Sequence, residues 1–168
     1  DAPARSLFMS GFVVFGPIRM QADGRASELP EPLDELFPSR LVDSTMGDIP
    51  EGWSSTTLAE FASLNSEAWA KATRPAIIKY VDLSNAKWGR IETVTTYARD
   101  DAPSRAQRVL RPGDTIVGTV RPGNCSYALI SDDGLTGSTG FAVLRPLKTE
   151  YAEYVYAAPH APENSDSV

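Results

Sequence analysis

Two Pro–Gly pairs, Arg111-Pro112-Gly113-Asp114 and Arg121-Pro122-Gly123-Asn124, separate short β-branched runs. Proline fixes φ and glycine opens the left-handed region, so each pair marks a tight turn that cannot continue a helix. From Pro103 to Pro146 the chain is therefore confined to short strands joined by turns. Arginines fall beside these breaks, at Arg105, Arg108, Arg111, Arg121 and Arg145. In a protein of net charge −6, arginines placed at strand edges are read as held toward an anionic partner.

The 168 residues suit one domain, or one domain with an extension. A hydrophobic content of 42% with 23% charged residues is enough to form a core without a disulfide or metal staple. No apolar run approaches the roughly 20 residues of a membrane span. The apolar patch from Leu7 to Ile18 is interrupted by Ser10, Gly11 and Gly16 and has no basic leader, so it is not read as a signal peptide. The first residue is Asp1 rather than Met, from which an excerpt of a longer protein is expected. Cys125 and His160 are the single cysteine and histidine. No internal disulfide and no ordinary zinc ligand set are therefore expected, and a cytoplasmic location is.

The acidity is unevenly spread. Residues 1–50 hold four basic and eight acidic side chains, and residues 149–168 hold four acids and no Lys or Arg. Residues 51–148 carry twelve basic against ten acidic groups, a net of +2. Local charge, more than the total, governs a binding face.

Apolar spacing predicts a helix from Ala4 to about Phe15 that is apolar on most sides and needs a partner surface. A second helical turn is expected from Pro17 to near Gly24, and a short helix from Pro32 to Phe37 with Leu33, Leu36 and Phe37 on one face. Ile49-Pro50-Glu51-Gly52-Trp53 reads as a turn into the main domain, with Trp53 as its first core aromatic. Thr57 is expected to cap a helix from Leu58 to Leu64. Strands are expected at 76–81, 90–96, 115–120, 126–131 and 138–144, the last two joined around Asp132-Asp133-Gly134. Tyr151, Tyr154, Val155 and Ala158 share one face of a closing helix that Pro159 ends.

Several blocks, in order, resemble the specificity (S) subunit of type I restriction–modification systems. Leu7-Phe-Met-Ser-Gly-Phe-Val-Val-Phe-Gly-Pro-Ile-Arg19 looks like the end of that family's first conserved helical region. Leu36-Phe-Pro-Ser-Arg-Leu-Val-Asp-Ser44 and Gly47-Asp-Ile-Pro-Glu-Gly-Trp53 look like the approach to its second target recognition domain. Tyr80-Val-Asp-Leu-Ser84, Val109-Leu-Arg-Pro-Gly-Asp114 and Ser138-Thr-Gly-Phe141 look like that domain's interior. The resemblance implies an α+β fold: a target recognition domain with a twisted, mainly antiparallel β-sheet and short helices, after an N-terminal helical stub. It implies a conserved-region end at 1–24, a linker at 25–50, a recognition domain at 51–158 and a flexible tail at 159–168. The chain departs from the family in lacking a first recognition domain and a long second helix, so one half-site reader is expected.

In that family the S subunit does not catalyse. It reads a bipartite DNA target and docks subunits that methylate adenine and cleave. The resemblance thus implies double-stranded DNA, a modification (methyltransferase) subunit, a restriction (translocase/endonuclease) subunit and a second S half as partners, and no membrane. It implies no cofactor in this chain, with S-adenosylmethionine on the modification subunit. The sequence agrees in holding no dinucleotide fingerprint, Walker A motif or amino-methyltransferase motif. Base readers must be polar side chains on loops, since Arg can grip guanine and Asn or Gln adenine. The candidates are Asn85, Lys87, Arg90, Arg99, Ser104, Arg105, Gln107, Arg108, Arg121 and Asn124, with Arg105, Gln107 and Arg121 favoured. Leu7, Phe8, Phe12 and Phe15 are the candidate subunit contacts. Against these stand plainer readings. A lone arginine is usually solvated surface, Asn85 and Asn124 suit turns, Trp53, Trp88 and Phe141 suit a core, and Cys125 suits a small buried apolar site. A pure assembly module that pairs with S-type halves or modification subunits without reading DNA is the alternative function.

Overall fold

The computed structural model describes residues 15–26, 29, 31–45, 47–120 and 125–160. These form two compact units, divided between Thr56 and Thr57. The expected helix over Ala4–Phe15, with Leu7, Phe8 and Phe12, lies outside the described residues apart from Phe15, as do Arg121, Asn124 and residues 161–168.

The first unit begins with the helix Gly16–Ala22, with Pro17 in its first turn. There the missing proline N–H costs nothing. The Asp23 N–H bonds the Arg19 carbonyl, and Gly24 follows at φ 68, the left-handed exit that ends many helices. The short helix Glu31–Asp34 follows. Of the three residues expected on its buried face, only Phe37 is buried, while Leu33 and Leu36 are exposed. Leu36 lies beyond the helix end, and the single turn directs Leu33 outward. Strands β1 (Leu41–Val42) and β2 (Ile49–Pro50) form a small antiparallel pair. Trp53 packs its ring 5.7 Å from Phe37 and edge-on to Phe15 at 6.1 Å. It therefore serves the first unit's aromatic cluster and does not begin the core of the second.

The second unit holds two four-stranded sheets. One is antiparallel, in the order β10 (Tyr127–Leu129), β9 (Thr115–Gly118), β12 (Phe141–Pro146), β3 (Ala62–Leu64). The other runs β7 (Thr95–Ala98), β4 (Ile77–Val81), β11 (Leu135–Ser138), β8 (Ala106–Leu110) and is antiparallel except where β11 lies parallel to β4. One core forms from both sheets: Val81, Leu110 and Leu135 from the mixed sheet meet Ile116, Ala128, Phe141 and Val143 from the antiparallel one. Side-chain alternation puts Ile78 and Tyr80 on the opposite face of β4, in a second cluster with Ala106. The mainly antiparallel α+β architecture expected from the sequence is the one observed.

Three expected elements differ. Residues 58–64 are not one helix: Leu58–Glu60 makes a single 3-10 turn, Thr57 gives it no side-chain cap, and Ala62–Leu64 is a strand. Ala62–Leu64 instead pairs with Leu144–Pro146 at the edge of a sheet. The expected strand at 90–96 divides, because its ends serve different partners. β6 (Arg90–Ile91) pairs with β5 (Ala86–Lys87), and Thr95–Ala98 pairs with β4. Residues 126–144 do not make one strand–turn–strand unit. After Ser131–Gly134 the chain leaves the antiparallel sheet, runs as β11 through the middle of the mixed sheet, then turns at Thr139–Gly140 and returns as β12. All four β11 residues are buried. Their small or apolar side chains suit a strand covered on both faces. A Cβ on Gly137 would already lie 3.2 Å from the Leu110 side chain.

The closing helix Ala152–Ala157 forms as its periodicity implies, with Val155 buried and Tyr151 and Tyr154 placed against Phe61 at 5.2 and 4.8 Å between rings. Among the described residues Phe141 is the largest side chain wholly inside. Phe141→Ala is expected to cost about 3–5 kcal/mol of unfolding free energy, read from the shift of a urea transition at unchanged slope.

Candidate nucleic-acid interface

Two of the five edge arginines are taken up by carboxylates of the chain itself. Arg145 on β12 donates from Nε and Nη2 to the two Asp114 carboxylate oxygens at 2.9 and 2.8 Å, from Nη2 also to the Val109 carbonyl at 3.1 Å, and from Nη1 to Glu67 at 2.7 Å. Arg111 grips the same Glu67 with two bonds of 2.8 and 2.7 Å. Asp114 is 1% exposed and also accepts the Arg111 backbone N–H, closing the turn. Gly113 sits at φ 89, as the third position of a type II turn requires. The reading of Arg111 and Arg145 as groups held toward an anionic partner is thus corrected: paired carboxylates claim both. Hydrogen bonds from Arg111, then Arg145, lower the Glu67 pKa from its ordinary 4.5 to about 2. Bonding to Asp114 raises that of Arg145.

A cationic cleft of about 510 Å³ opens between residues 69–74 and 99–107. Lys71, Arg74 and Arg99 line it, with Gln107, Trp69 and one opposing acid, Asp100. The chain builds it by laying residues 67–76 along the loop from Arg99 to Arg105. Trp69 N–H bonds the Gln107 carbonyl and its indole N–H bonds Thr136 Oγ1 at 2.9 Å. Arg74 Nη2 reaches the carbonyls of Pro103 and Ala106 at 3.3 and 3.2 Å. Arg99 Nε reaches that of Pro75 at 3.3 Å. Gln107 donates to the Ser104 carbonyl at 2.7 Å. These bonds fix the loop while leaving the positive charges around one opening.

The sequence-derived candidates fall into three groups. Arg99 and Gln107 line the cleft, and Ser104, Arg105 and Arg108 lie on the same loop or at the start of β8. Ser104 and Arg105 are exposed, whereas Arg108 is half-buried with its Nε enclosed. Lys87 and Arg90 stand exposed on the β5–β6 hairpin, away from that loop in the chain. Asn85, at its base, uses its side-chain oxygen to accept the Asp82 N–H in a reciprocal capping box. Arg121 and Asn124 lie outside the described residues. Lys71 and Arg74 were missed. The signal was present, since both follow Trp69 within five residues in a stretch without helix or strand. Trp88, expected in the core, is 70% exposed at the hairpin tip, and Cys125 is half-buried rather than enclosed. Among the described residues no cluster of His, Cys, Asp and Glu could hold a metal ion, and no helix is long and apolar enough to cross a membrane.

The second unit is thus a small two-sheet α+β domain with cationic loops at its surface. Such a fold resembles the target recognition domain of a type I specificity subunit, and two solved structures carry the likeness. One is the crystal structure of the HsdS subunit from Thermoanaerobacter tengcongensis, 32% identical with a TM-score of 0.54 over 62% of this chain and 28% of that one. The other concerns complex assembly and conformational transition of the type I R-M system, and is 34% identical with a TM-score of 0.52 over 58% of this chain and 26% of that one. No protein-family model and no curated protein matches the sequence. The chain spans about a quarter of the length of these two neighbours. The resemblance to type I specificity subunits read from the sequence blocks therefore holds in three dimensions.

Because the folded-state pKa of Glu67 is depressed, the stability it contributes is present above its ordinary value and fades as pH falls from about 4.5 toward about 2. Glu67→Gln should accordingly destabilise the fold at pH 7 and much less near pH 2.5, in urea titrations at the two pH values. Equal losses at both would show that the network is not ionic.

Proposed function

We propose that this chain is the specificity component of a type I restriction–modification system, and that its second unit reads one half of a bipartite DNA target. The observation that carries the reading is the shared fold at 32–34% identity with two type I system structures. The cationic cleft adds physical support, because a protein of net charge −6 has gathered three cations around one opening on that fold. Lys71, Arg74 and Arg99 hold phosphates. Arg105 and Gln107 reach base edges, with Arg108 and Ser104 beside them, and Arg121 and Asn124 remain further candidate contacts. Lys87, Arg90 and Asn85 belong to a second contact on the hairpin.

On this reading the chain is not itself an enzyme. Adenine methylation needs the base flipped into a pocket, which the modification subunit supplies together with S-adenosylmethionine. The restriction subunit cleaves, a second S half completes the split target, Phe15 and the apolar stretch before it dock other subunits, and the complex works in the cytoplasm.

The test is binding by the chain assembled with its modification subunit to duplexes that hold or lack the target. Affinity should depend on sequence and fall with salt. Lys71→Ala and Arg99→Ala should each flatten the slope of log K against log salt by about 0.9, as loss of one phosphate contact does. Arg105→Ala should weaken binding to the target more than to other sequences. A normal complex with no sequence preference would instead establish an assembly module, and turnover by the chain alone would overturn both.

A further inference from the structure

The β5–β6 hairpin combines three locally unfavourable features. Its two-residue turn is Trp88-Gly89, both at positive φ, 51 and 82. The geometry suits this turn type, whose first position prefers Asn, Asp or Gly, and a bulky residue there is strained. The indole is 70% exposed. Lys87 pairs directly with Arg90, so two like charges face each other across the strands. Alternation puts both on the solvent side, because Ala86 and its partner Ile91 pack into the core.

The hairpin is nonetheless held firmly. The Trp88 and Gly89 N–H groups bond the Cys125 and Tyr127 carbonyls, both at 3.0 Å, and Glu92 N–H bonds the Asn85 carbonyl at 2.7 Å. The capping box from Asp82 to Asn85 fixes the base. A Cβ on Gly89 would fall 2.4 Å from the Tyr156 hydroxyl, so the turn is pressed against the closing helix. A mobile tip would relax these features, whereas this one is pinned with the aromatic and both cations outward. Among the described residues, neither Lys87 nor Arg90 has an acidic partner.

We infer that Trp88 is a base-stacking contact of the proposed DNA reader, its indole inserted against a base that the complex unstacks from the target duplex, while Lys87 and Arg90 take the phosphates on either side. The inference rests on the DNA-reading function proposed above and adds a residue outside the loop candidates. Alternating charge and ring is the chemistry of a nucleic-acid strand, in which phosphates flank each base. A protein partner would have to offer two acids around an apolar socket. Stacking of a base on an aromatic ring is sequence-tolerant and carries no salt dependence of its own, whereas the flanking cations do.

The experiment uses the chain assembled with its modification subunit and a target duplex carrying 2-aminopurine at successive positions. Trp88→Asn keeps a residue that tolerates the left-handed turn, and Trp88→Phe keeps a ring. The Asn variant should lose about tenfold or more in affinity for the target, with an unchanged salt slope, and the Phe variant most of that less. Wild type should change the fluorescence of 2-aminopurine, which is low in the stacked free duplex, at one position, and the Asn variant should abolish that change. Lys87→Gln and Arg90→Gln should each flatten the salt slope by about 0.9 instead. If wild type binds its target and Trp88→Asn binds equally well, Trp88 is no contact and the inference fails alone. If Trp88→Asn loses the modification subunit but not DNA, the hairpin is a protein-docking site. If wild type shows no target preference, the DNA-reading function falls and the inference with it.

Discussion

The Arg145 guanidinium is the point through which the two sheets are tied. It rises from β12, in the antiparallel sheet. It bonds the Val109 carbonyl of β8 in the mixed sheet, Asp114 in the turn that launches β9, and Glu67 in the segment that crosses from β3 to the edge of β8. Burying this charge is costly, and only the number of its partners makes the arrangement tolerable. What it supplies is register: with Asp114 and Glu67 in place, the chain between β8 and β9 can turn in one way, and residues 65–69 can cross at one height. Asn65 completes the crossing, its N–H on the Val143 carbonyl at 2.8 Å and its side-chain oxygen on the Val143 N–H at 2.9 Å. The cationic cleft begins two residues beyond Glu67, so its walls take their position from this network.

The cleft and the hairpin are charged in different ways. In the cleft, Arg74 and Arg99 spend donors on backbone carbonyls, which fixes their planes and leaves chiefly their field to act on a ligand. At the hairpin tip the restraint comes from backbone bonds, and the side chains of Lys87, Trp88 and Arg90 carry none of it. Proteins keep a bulky residue in a left-handed turn only where surrounding bonds over-determine it, and here the bonds to Cys125 and Tyr127 do so.

Local chemistry was legible in the sequence wherever neighbours in the chain are neighbours in space. The Arg111–Asp114 turn, the closing helix on Tyr151 and Val155, and the turn at Pro17–Gly24 all depend on spacings of three or four residues. Features set by distant partners were not legible. Arg145 meets Asp114 across 31 residues and Glu67 across 78, and nothing in a lone arginine distinguishes a paired one from a solvated one. The same holds for Leu58–Leu64, whose fate is decided by a strand some eighty residues later, and for β11, which looks like one half of a hairpin until its parallel partner is known. Trp88 failed for the opposite reason. Tryptophan is usually buried, and the turn that exposes it is written in Gly89 and in the pairing of Ala86–Lys87 with Arg90–Ile91, a pattern hidden inside what reads as a loop followed by one strand.

That failure bears on how such a surface can be built at all. Its cations must survive in an acidic chain without being neutralised by its own carboxylates. Arg145 meets its carboxylates where the sheets join, at 21% side-chain exposure and beside Asp114 exposed by only 1%, while Arg111 holds Glu67 from the surface. Lys71, Lys87 and Arg90 are exposed and make no ion pair among the described residues. The acids that could reach them are placed elsewhere: Glu67 and Asp114 are saturated by Arg111 and Arg145, and only Asp100 enters the cleft. Removing Arg111 or Arg145 would therefore do more than loosen the fold. It would leave Glu67 and Asp114, now saturated by those arginines, as unpaired negative charge in an already acidic chain.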